Sequence, residues 1–455
     1  MQVEMEENTH THARRWYRLD NTANLYPSVL TRRNTTMYRL SVTLRKPVHV
    51  DRLRRAVEPV MARFPYYRVQ LRGGAFWYTF EENNRLPKPV IDSRTPCGYM
   101  PIKKRGVFPF RIRVFGRVLA LEFSHTLTDG TGALLFLKSL LSSYILADMD
   151  PEDKETRRIR KLCGEDPMNP LFTEDGDPAE VQDDEYEDAF RTYYDKSVPS
   201  MEQEKKVYHQ KGRMYKTGYY RVITGEVPIQ KVLSLAKERG VSLTEYLTSI
   251  YFYALQRIQE HGERKRARKR WDPISVMVPI NLRSILPSNT MRNFFLTLNP
   301  TLDTRLGHYD FEEISEKVRL FMRTQTDHRH LKQQLARNVR GRIHPLIRVA
   351  PLFVKDPALK MIHHGKGESR YSGSLSNIGK VVFSSPIEEL VERVHLLPPP
   401  SPVLGIKCGV VSYGGVLSIT FGSLLEETVL ERLFFTFLRK EGVPVYLRGN
   451  WKGEC

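Results

Sequence analysis

A strand, a tight turn and a helix follow one another between residues 118 and 146, and this succession constrains the fold more than any other feature. Residues 118–123 are mostly apolar, which predicts a buried strand. Apolar residues then recur at helical spacing between residues 134 and 145. Residues 128–132 join the two and consist of threonine, aspartate and glycine, which favour tight turns. The pattern predicts an α/β fold.

One titratable side chain, His125, stands just after the predicted strand. A histidine that a tight turn holds at the end of a strand lies on a rigid scaffold and faces a crevice, where a general base is useful. We therefore take His125 as the candidate base. The pattern His-x-x-x-Asp-Gly specifies only three positions, so a structural histidine in a turn is the alternative.

Strands and helices alternate along the rest of the chain. Strands are predicted at residues 37–44, 274–280, 375–383, 408–411 and 417–421, with a hairpin around residues 72–74. Helices are predicted from Asp51 as N-cap, from the capping box of Ser242 and Glu245, over residues 311–340, and over residues 426–439. Because 455 residues exceed one simple core, we expect two lobes, 1–190 and 191–455. The first ends in an acidic, solvated connection at residues 174–188.

The formal net charge of +19 at pH 7 favours an anionic partner. Nucleic acid, an anionic membrane surface and an anionic small substrate are the three candidates. The most basic run, residues 264–270, lacks the interleaved aromatic residues of a nucleic-acid site, so we expect no nucleic-acid partner. A solvated loop is the simplest interpretation of this run, with phosphate binding or membrane contact as alternatives.

Cysteine and histidine usage argues against a metal site. The four cysteines stand far apart, at positions 97, 163, 408 and 455, without a Cys-x-x-Cys pair or a disulfide framework. We therefore expect no metal. The first residues are acidic and lack the pattern of a signal peptide, and no apolar run approaches the ~18–20 residues that span a bilayer. A cytoplasmic location is expected.

Four parts of the chain resemble the CoA-dependent acyltransferase superfamily. This superfamily includes chloramphenicol acetyltransferase, plant alcohol acyltransferases and the condensation domains of nonribosomal peptide synthetases. Residues 125–130, HTLTDG, match its HxxxDG signature. The other matching parts are residues 18–20 with 26–27, residues 279–284 with 293–295, and residues 374–379. The last part, SLSNIG, is most similar to bacterial alcohol acetyltransferase-like members.

The resemblance implies two chloramphenicol-acetyltransferase-like α/β sandwich lobes with an active-site tunnel between them. Donor and acceptor would meet at His125, the general base, without a covalent intermediate or a permanently bound cofactor. Asp129 would pair with an arginine, for which Arg283 is the candidate, and Gly130 would supply backbone freedom and close approach. The candidates for tunnel lining or oxyanion donation, with a polar edge strand as the alternative, are Ser374, Ser376 and Asn377.

The function that the resemblance implies is O-acylation of an alcohol by acyl-CoA, carried out by a monomer. An N-acyltransferase with an amine acceptor and a condensation-type enzyme with an acyl carrier protein as donor are the near alternatives. A catalytically silent basic binding protein on the same fold is the third. Ser124 stands where condensation domains often carry a first histidine, which counts against peptide-bond synthesis. The chain also lacks an Asp-Phe-Gly-Trp-Gly segment, so the plant enzymes are only distantly similar.

Overall fold

The computed structural model describes residues 15–166, 168–198, 207–264, 271–343 and 349–450. Within these ranges the buried apolar side chains form two large clusters, one for each lobe. The basic run lies outside the described residues from residue 265 onward.

The described residues form sixteen strands and twelve α-helices. The strands are β1 (Trp16–Arg18), β2 (Met37–Leu44), β3 (Val69–Gly73), β4 (Tyr78–Glu82), β5 (Val90–Ile91), β6 (Phe110–Phe115), β7 (Val118–Ser124), β8 (Arg221–Pro228), β9 (Ile274–Asn281), β10 (Phe295–Leu298), β11 (Thr301–Leu302), β12 (Gly373–Lys380), β13 (Val391–Leu397), β14 (Ile406–Tyr413), β15 (Val416–Ser423) and β16 (Tyr446–Gly449). The helices are α1 (Tyr26–Val29), α2 (Val50–Arg63), α3 (Gly130–Leu146), α4 (Lys154–Gly164), α5 (Ala189–Thr192), α6 (Ile229–Glu238), α7 (Leu243–Arg264), α8 (Phe311–Gln325), α9 (His328–Ile343), α10 (Leu352–Lys366), α11 (Ser385–Leu390) and α12 (Val429–Lys440).

The first lobe is built on a five-stranded sheet in the order β13-β2-β7-β6-β5. Strand β7 lies at its centre, antiparallel to β2 and β6, with Leu121 opposite both Leu40 and Ile112. These side chains are fully buried because α2 and α3 cover that face with their own apolar residues. A separate three-stranded sheet, β1-β4-β3, contains the predicted hairpin.

The second lobe is built on an eight-stranded sheet in the order β10-β9-β12-β14-β15-β8-β16, with β11 paired to β9. Strand β12 runs parallel to both β9 and β14, so it lies inside the sheet. Helix α7 packs on β9, and α12 packs on α7. Polar side chains on the other face of β12 are therefore available to line the space between the lobes.

Strand β13 belongs to the second half of the sequence but is the edge strand of the first lobe's sheet. It pairs antiparallel with β2, and Val394 and Leu396 join the first cluster of buried side chains. A Cβ at Gly409 of β14 would lie 2.5 Å from the carbonyl oxygen of Leu396, so the two sheets meet directly at this point. The region of residues 391–409 thus connects the two lobes.

Several predicted helix boundaries differ from those in the structure. Helix α2 begins at Val50 with His49 as N-cap, and Asp51 lies in the first turn, where its charge still favours the helix dipole. The helix predicted over residues 311–340 is two helices, because Thr326 ends α8 and α9 begins at His328. The capping box at Ser242 and Glu245 is confirmed, with both reciprocal hydrogen bonds formed.

The acidic segment is less solvated than the sequence predicts. Glu185 is buried, and its two oxygens accept hydrogen bonds from Arg63 at 2.5 and 2.7 Å and from the Tyr66 hydroxyl at 2.6 Å. A bidentate buried pair of this kind holds the segment against α2. The connection is thus anchored to the first lobe. None of the helices within the described ranges has the length and apolar character needed to cross a membrane.

Candidate active site

The position of His125 follows from the strand before it and the turn after it. The backbone N–H of His125 donates to the carbonyl of Thr36, 3.1 Å away, which extends the pairing of β2 with β7 by one step. The N–H of Leu127 then donates to the carbonyl of Ser124 at 2.8 Å, and this turns the chain sharply. The imidazole consequently projects from the end of the central strand of the first sheet.

Three aromatic rings surround the imidazole of His125. Tyr26 stacks on it with ring centroids 5.3 Å apart, Tyr38 lies 4.4 Å away on a tilted plane, and Phe295 lies 6.1 Å away. Tyr38 is held in turn by its hydroxyl, which donates to the carbonyl of Asp129 at 2.6 Å. The rings restrict the orientation of the imidazole and shield it from water.

Asn293 of the second lobe lies against the backbone of His125. Its Nδ2 donates to the carbonyl of His125 at 2.9 Å and to the carboxylate of Asp20 at 2.9 Å. Hydrogen bonds of the imidazole with the Asn293 side chain and the Thr128 backbone raise the pKa of His125, against the larger effect of burial. Because Nδ2 donates to two acceptors, the orientation of the Asn293 amide is determined.

Burial, and after it the charge of the Lys407 ammonium, lower the pKa of His125 to about 4, although the Asp129 carboxylate acts in the opposite direction. The imidazole is therefore neutral at pH 7, with a lone pair that can accept a proton. Lys407 is itself buried on β14 and pairs with Glu368, with Nζ 2.5 Å from Oε1. Sequence reasoning missed this pair, although a single lysine within the apolar strand β14 was a signal for it.

Both oxygens of Asp129 point away from the imidazole. Oδ1 caps helix α3 by accepting from the N–H groups of Thr131 and Gly132, each at 3.1 Å. Oδ2 accepts from Nη1 of Arg283 at 2.9 Å and from the N–H of Phe294 at 2.8 Å. The structure thus brings Asp129 and Arg283 together, and the carboxylate joins the motif turn of one lobe to the other lobe.

Arg283 also holds the segment that follows it in the second lobe. Its Nε and Nη2 donate to the carbonyl of Thr290 at 3.0 and 2.9 Å, and Nη2 also donates to the carbonyl of Arg292 at 2.5 Å. This segment carries Asn293, which contacts His125. The guanidinium therefore positions the second lobe's contribution to the base.

Two glycines lie at the start of α3, and they meet different constraints. Gly130 does not have positive φ, so the backbone freedom predicted for it is not used; a Cβ there would lie 3.1 Å from Ile378 of β12. Gly132, which sequence reasoning missed, allows a closer approach. A Cβ there would lie 2.1 Å from the Thr128 hydroxyl and 2.4 Å from the carbonyl of Met291. Both glycines let the helix start pack directly on the second lobe.

The polar residues of β12 divide between its two faces. Leu375 belongs to the second lobe's core, and the next residue on that face, Asn377, donates to Thr244 of α7 at 3.0 Å. Ser374 and Ser376 point to the opposite face, which by strand pairing they share with Lys407 of β14. Strand β12 is flanked on both sides at Ser374, where it pairs with β9, whereas Ser376 and Asn377 pair with β14 alone. Two serines and a lysine therefore face the first lobe.

Comparisons with solved structures match this architecture over nearly the whole chain. TRI101 of F. sporotrichioides, complexed with coenzyme A and T-2, is 12% identical with a TM-score of 0.58, covering 96% of this chain and 100% of that one. The TRI3 trichothecene 15-O-acetyltransferase of Fusarium sporotrichioides is 9% identical with a TM-score of 0.57, over 93% and 94%. The nonribosomal peptide synthetase FmoA3 is 14% identical with a TM-score of 0.53, over 95% of this chain and 42% of that one.

The chain has the acyltransferase and condensation-domain fold. The predicted fold class, two α/β lobes of the chloramphenicol acetyltransferase type, is thereby confirmed. No protein-family model matches the sequence, and no curated protein matches it. Within the described ranges no three histidine, cysteine or acidic side chains cluster as metal ligands would. In this fold, His125, Ser374, Ser376 and Lys407 all face the junction of the two lobes.

Proposed function

We propose that this protein is an acyltransferase that moves an acyl group from acyl-CoA to an alcohol, with His125 as general base. One observation carries the proposal. The end of the first lobe's central strand presents a neutral, ring-enclosed imidazole to the second lobe, in the fold of an enzyme complexed with coenzyme A and of an O-acetyltransferase. A scaffold protein has no need of a base in that position.

The residues support direct transfer. The neutral imidazole takes the proton of the acceptor hydroxyl while the hydroxyl oxygen attacks the thioester carbonyl. The tetrahedral intermediate then expels the CoA thiolate, and the imidazolium returns the proton to the sulfur. Burial raises the pKa of the thiols of Cys97, Cys163 and Cys408, so none of them is an activated nucleophile. We therefore propose no covalent enzyme intermediate.

The negatively charged oxygen of the tetrahedral intermediate needs a hydrogen-bond donor. Ser374 and Ser376 face the first lobe from β12, and we propose that one of their hydroxyls donates to this oxygen. The Lys407 ammonium on the same face adds a favourable charge. Asn377 is a weaker candidate, because its amide nitrogen donates to Thr244 and its oxygen accepts from the N–H of Gly379.

Two other functions use the same site. The likeness to the synthetase FmoA3 favours an amine as acceptor or an acyl carrier protein as donor. Ser124 stands where condensation domains often carry a histidine, and this counts against a condensation reaction. A silent basic binding protein would retain the fold without turnover. A monomeric state, a cytoplasmic location and the absence of a nucleic-acid partner stay predictions from the sequence.

The test is thiol release from a panel of acyl-CoA donors with alcohol and amine acceptors. We expect His125→Ala to slow turnover about 10²–10⁴-fold with the fold intact, since a general base contributes about that much. His328→Ala, which removes an exposed imidazole on α9, is the matched control and should leave turnover unchanged. Equal turnover of wild type and His125→Ala would remove His125 from the mechanism, and no thiol release with any donor would favour the binding protein.

A further inference from the structure

A cavity of about 260 Å³ opens between the two lobes. Its first wall comes from the first lobe and consists of Arg32, Arg33, Thr35 and residues 95–99. Its second wall comes from residues 214–220, with Pro400 and Leu424 beyond them. Cavities at such junctions commonly hold small-molecule ligands.

The charged side chains that line the cavity, among the residues that the structure describes, are all basic. Arg32, Arg33 and Lys216 border it, and none of the described aspartates and glutamates lines it. Arg33 donates to the Thr217 hydroxyl at 2.9 Å and contacts the sulfur of Met214, which fixes its side chain across the junction. Within the part of the chain that the structure describes, none of the three cations has a carboxylate partner. Three unpaired cations around one cavity favour an anionic group inside it.

Aromatic rings form much of the remaining wall. Tyr99, Tyr215, Tyr219 and Tyr220 all line the cavity. The rings of Tyr215 and Tyr219 lie 4.5 Å apart, and the hydroxyl of Tyr220 is held by the carbonyl of Pro398 at 3.0 Å. Tyrosine faces offer stacking surfaces for a planar ring.

The cavity lies next to the backbone that holds the base. Thr35 lines it and donates to the carbonyl of Cys97, another lining residue, at 2.6 Å. Thr36, the next residue, accepts the hydrogen bond of the His125 N–H. Thr36 and Cys97 both have φ of 55°, a costly conformation for residues other than glycine that is concentrated at functional sites. The wall is therefore one residue removed from the contact with His125.

We propose that this cavity binds a ligand in which an anionic group is joined to a planar ring, and that it is a substrate subsite of the enzyme. The assignment as a substrate subsite rests on the function proposed above. Two sources carry this chemistry: the phosphorylated adenosine end of a CoA donor, and an aromatic acceptor with an anionic group. The cations hold the anionic group at the mouth, and the tyrosines hold the ring.

The direct test is calorimetric binding of two probes, adenosine 3′,5′-bisphosphate and 4-hydroxybenzoate, to the full chain. We expect Arg32→Met/Lys216→Met to weaken binding of one probe about tenfold or more, since each charge-assisted contact typically contributes about that factor. Tyr219→Leu should weaken the same probe through loss of stacking. The matched control, Lys231→Met/Lys237→Met, removes two exposed charges from α6 and should change neither affinity.

The two probes distinguish whether the ligand of the cavity is the CoA donor or an aromatic acceptor. Binding of the bisphosphate that the cavity variant loses assigns the subsite to the donor, and the same result with 4-hydroxybenzoate assigns it to the acceptor. The proposal is overturned if wild type binds neither probe, or if the cavity and control variants bind equally well.

Failure of the subsite and failure of the proposed function give different results. If thiol release proceeds while the Arg32→Met/Lys216→Met variant retains wild-type KM values and probe affinities, only the subsite is wrong. If no acyl-CoA is turned over while the cavity still binds a probe, the proposed function is wrong and the cavity remains a binding site of another kind.

Discussion

Replacing Asp129 by asparagine tests whether the carboxylate holds the two lobes together or takes part in proton transfer. Oδ1 accepts two N–H groups of α3, and Oδ2 accepts from Arg283 and from the Phe294 N–H. An asparagine that keeps its oxygen on the helix start must turn its NH₂ toward the other two donors. Asp129→Asn therefore loses two hydrogen bonds and leaves the guanidinium without its counter-charge.

The expected loss in the free energy of unfolding follows from the burial of the two side chains. The side chain of Asp129 is 6% exposed and that of Arg283 is 11% exposed, so solvent screens their interaction little. Removing one partner of a buried ion pair costs about 3–5 kcal/mol, and we expect a loss of this size in the free energy of unfolding. Arg283→Met should cost a similar amount, because it leaves the carboxylate unpaired and releases the carbonyls of Thr290 and Arg292.

Denaturant unfolding of the four proteins of a double-mutant cycle measures the coupling. The double variant should lose less than the sum of the single losses, by about 1–3 kcal/mol, because the second substitution removes a charge that the first left unpaired. Asp148→Asn removes one carboxylate of the exposed pair with Arg55 and is the control, with little change expected.

Strict additivity of the two losses would refute the pairing. The positioning role of Asp129 would be refuted if the Asp129→Asn variant were stable and had lost turnover as completely as His125→Ala. The second outcome would mean that the carboxylate acts on the imidazole, and the geometry of its two oxygens argues against this.

Two further predictions concern the base and the helix start. Lys407→Met removes a positive charge that disfavours the imidazolium form, so the pKa of His125 should rise from about 4 toward 6.5. The acid limb of the pH profile of kcat/KM should therefore move to higher pH. Lys407→Arg keeps the charge and should leave the limb in place. A limb that does not move would separate Lys407 from the base. Gly132→Ala places a methyl group against Thr128 and should lower the unfolding midpoint markedly, whereas Gly262→Ala, which has open space in α7, should raise stability by about 0.5–1 kcal/mol.

Local sequence signals predicted the segment that carries the base. The apolar run before His125 became β7, and the apolar residues after Gly130 became the buried face of α3. The capping box at Ser242 formed as predicted, and a hairpin formed near the predicted place, with its loop at residues 74–77 because Arg72 and Gly73 pair within the sheet. Each depends on contacts within a few residues, so periodicity and turn chemistry are sufficient to indicate it.

Contacts between distant parts of the chain were not predictable in this way. The pairing of β13 with β2 joins residues about 350 positions apart, and nothing in the short run at 391–397 distinguishes it from a strand of the second lobe. Glu185 in the acidic segment gave no sign that it would be buried against Arg63, because its neighbours are solvated carboxylates. The break between α8 and α9 was missed because charged residues continue through it.

The sequence by itself determined the α/β class, the position of His125 at a strand end, and the candidates for its supporting residues, because these depend on local pattern and on the resemblance of short motifs. Only the tertiary structure decided what surrounds the imidazole. The rings of Tyr26 and Tyr38, the charge of Lys407 and the cavity between the lobes come together through strand pairing and lobe packing. Burial and charge at a site are properties of that packing, and they set the protonation state of the base.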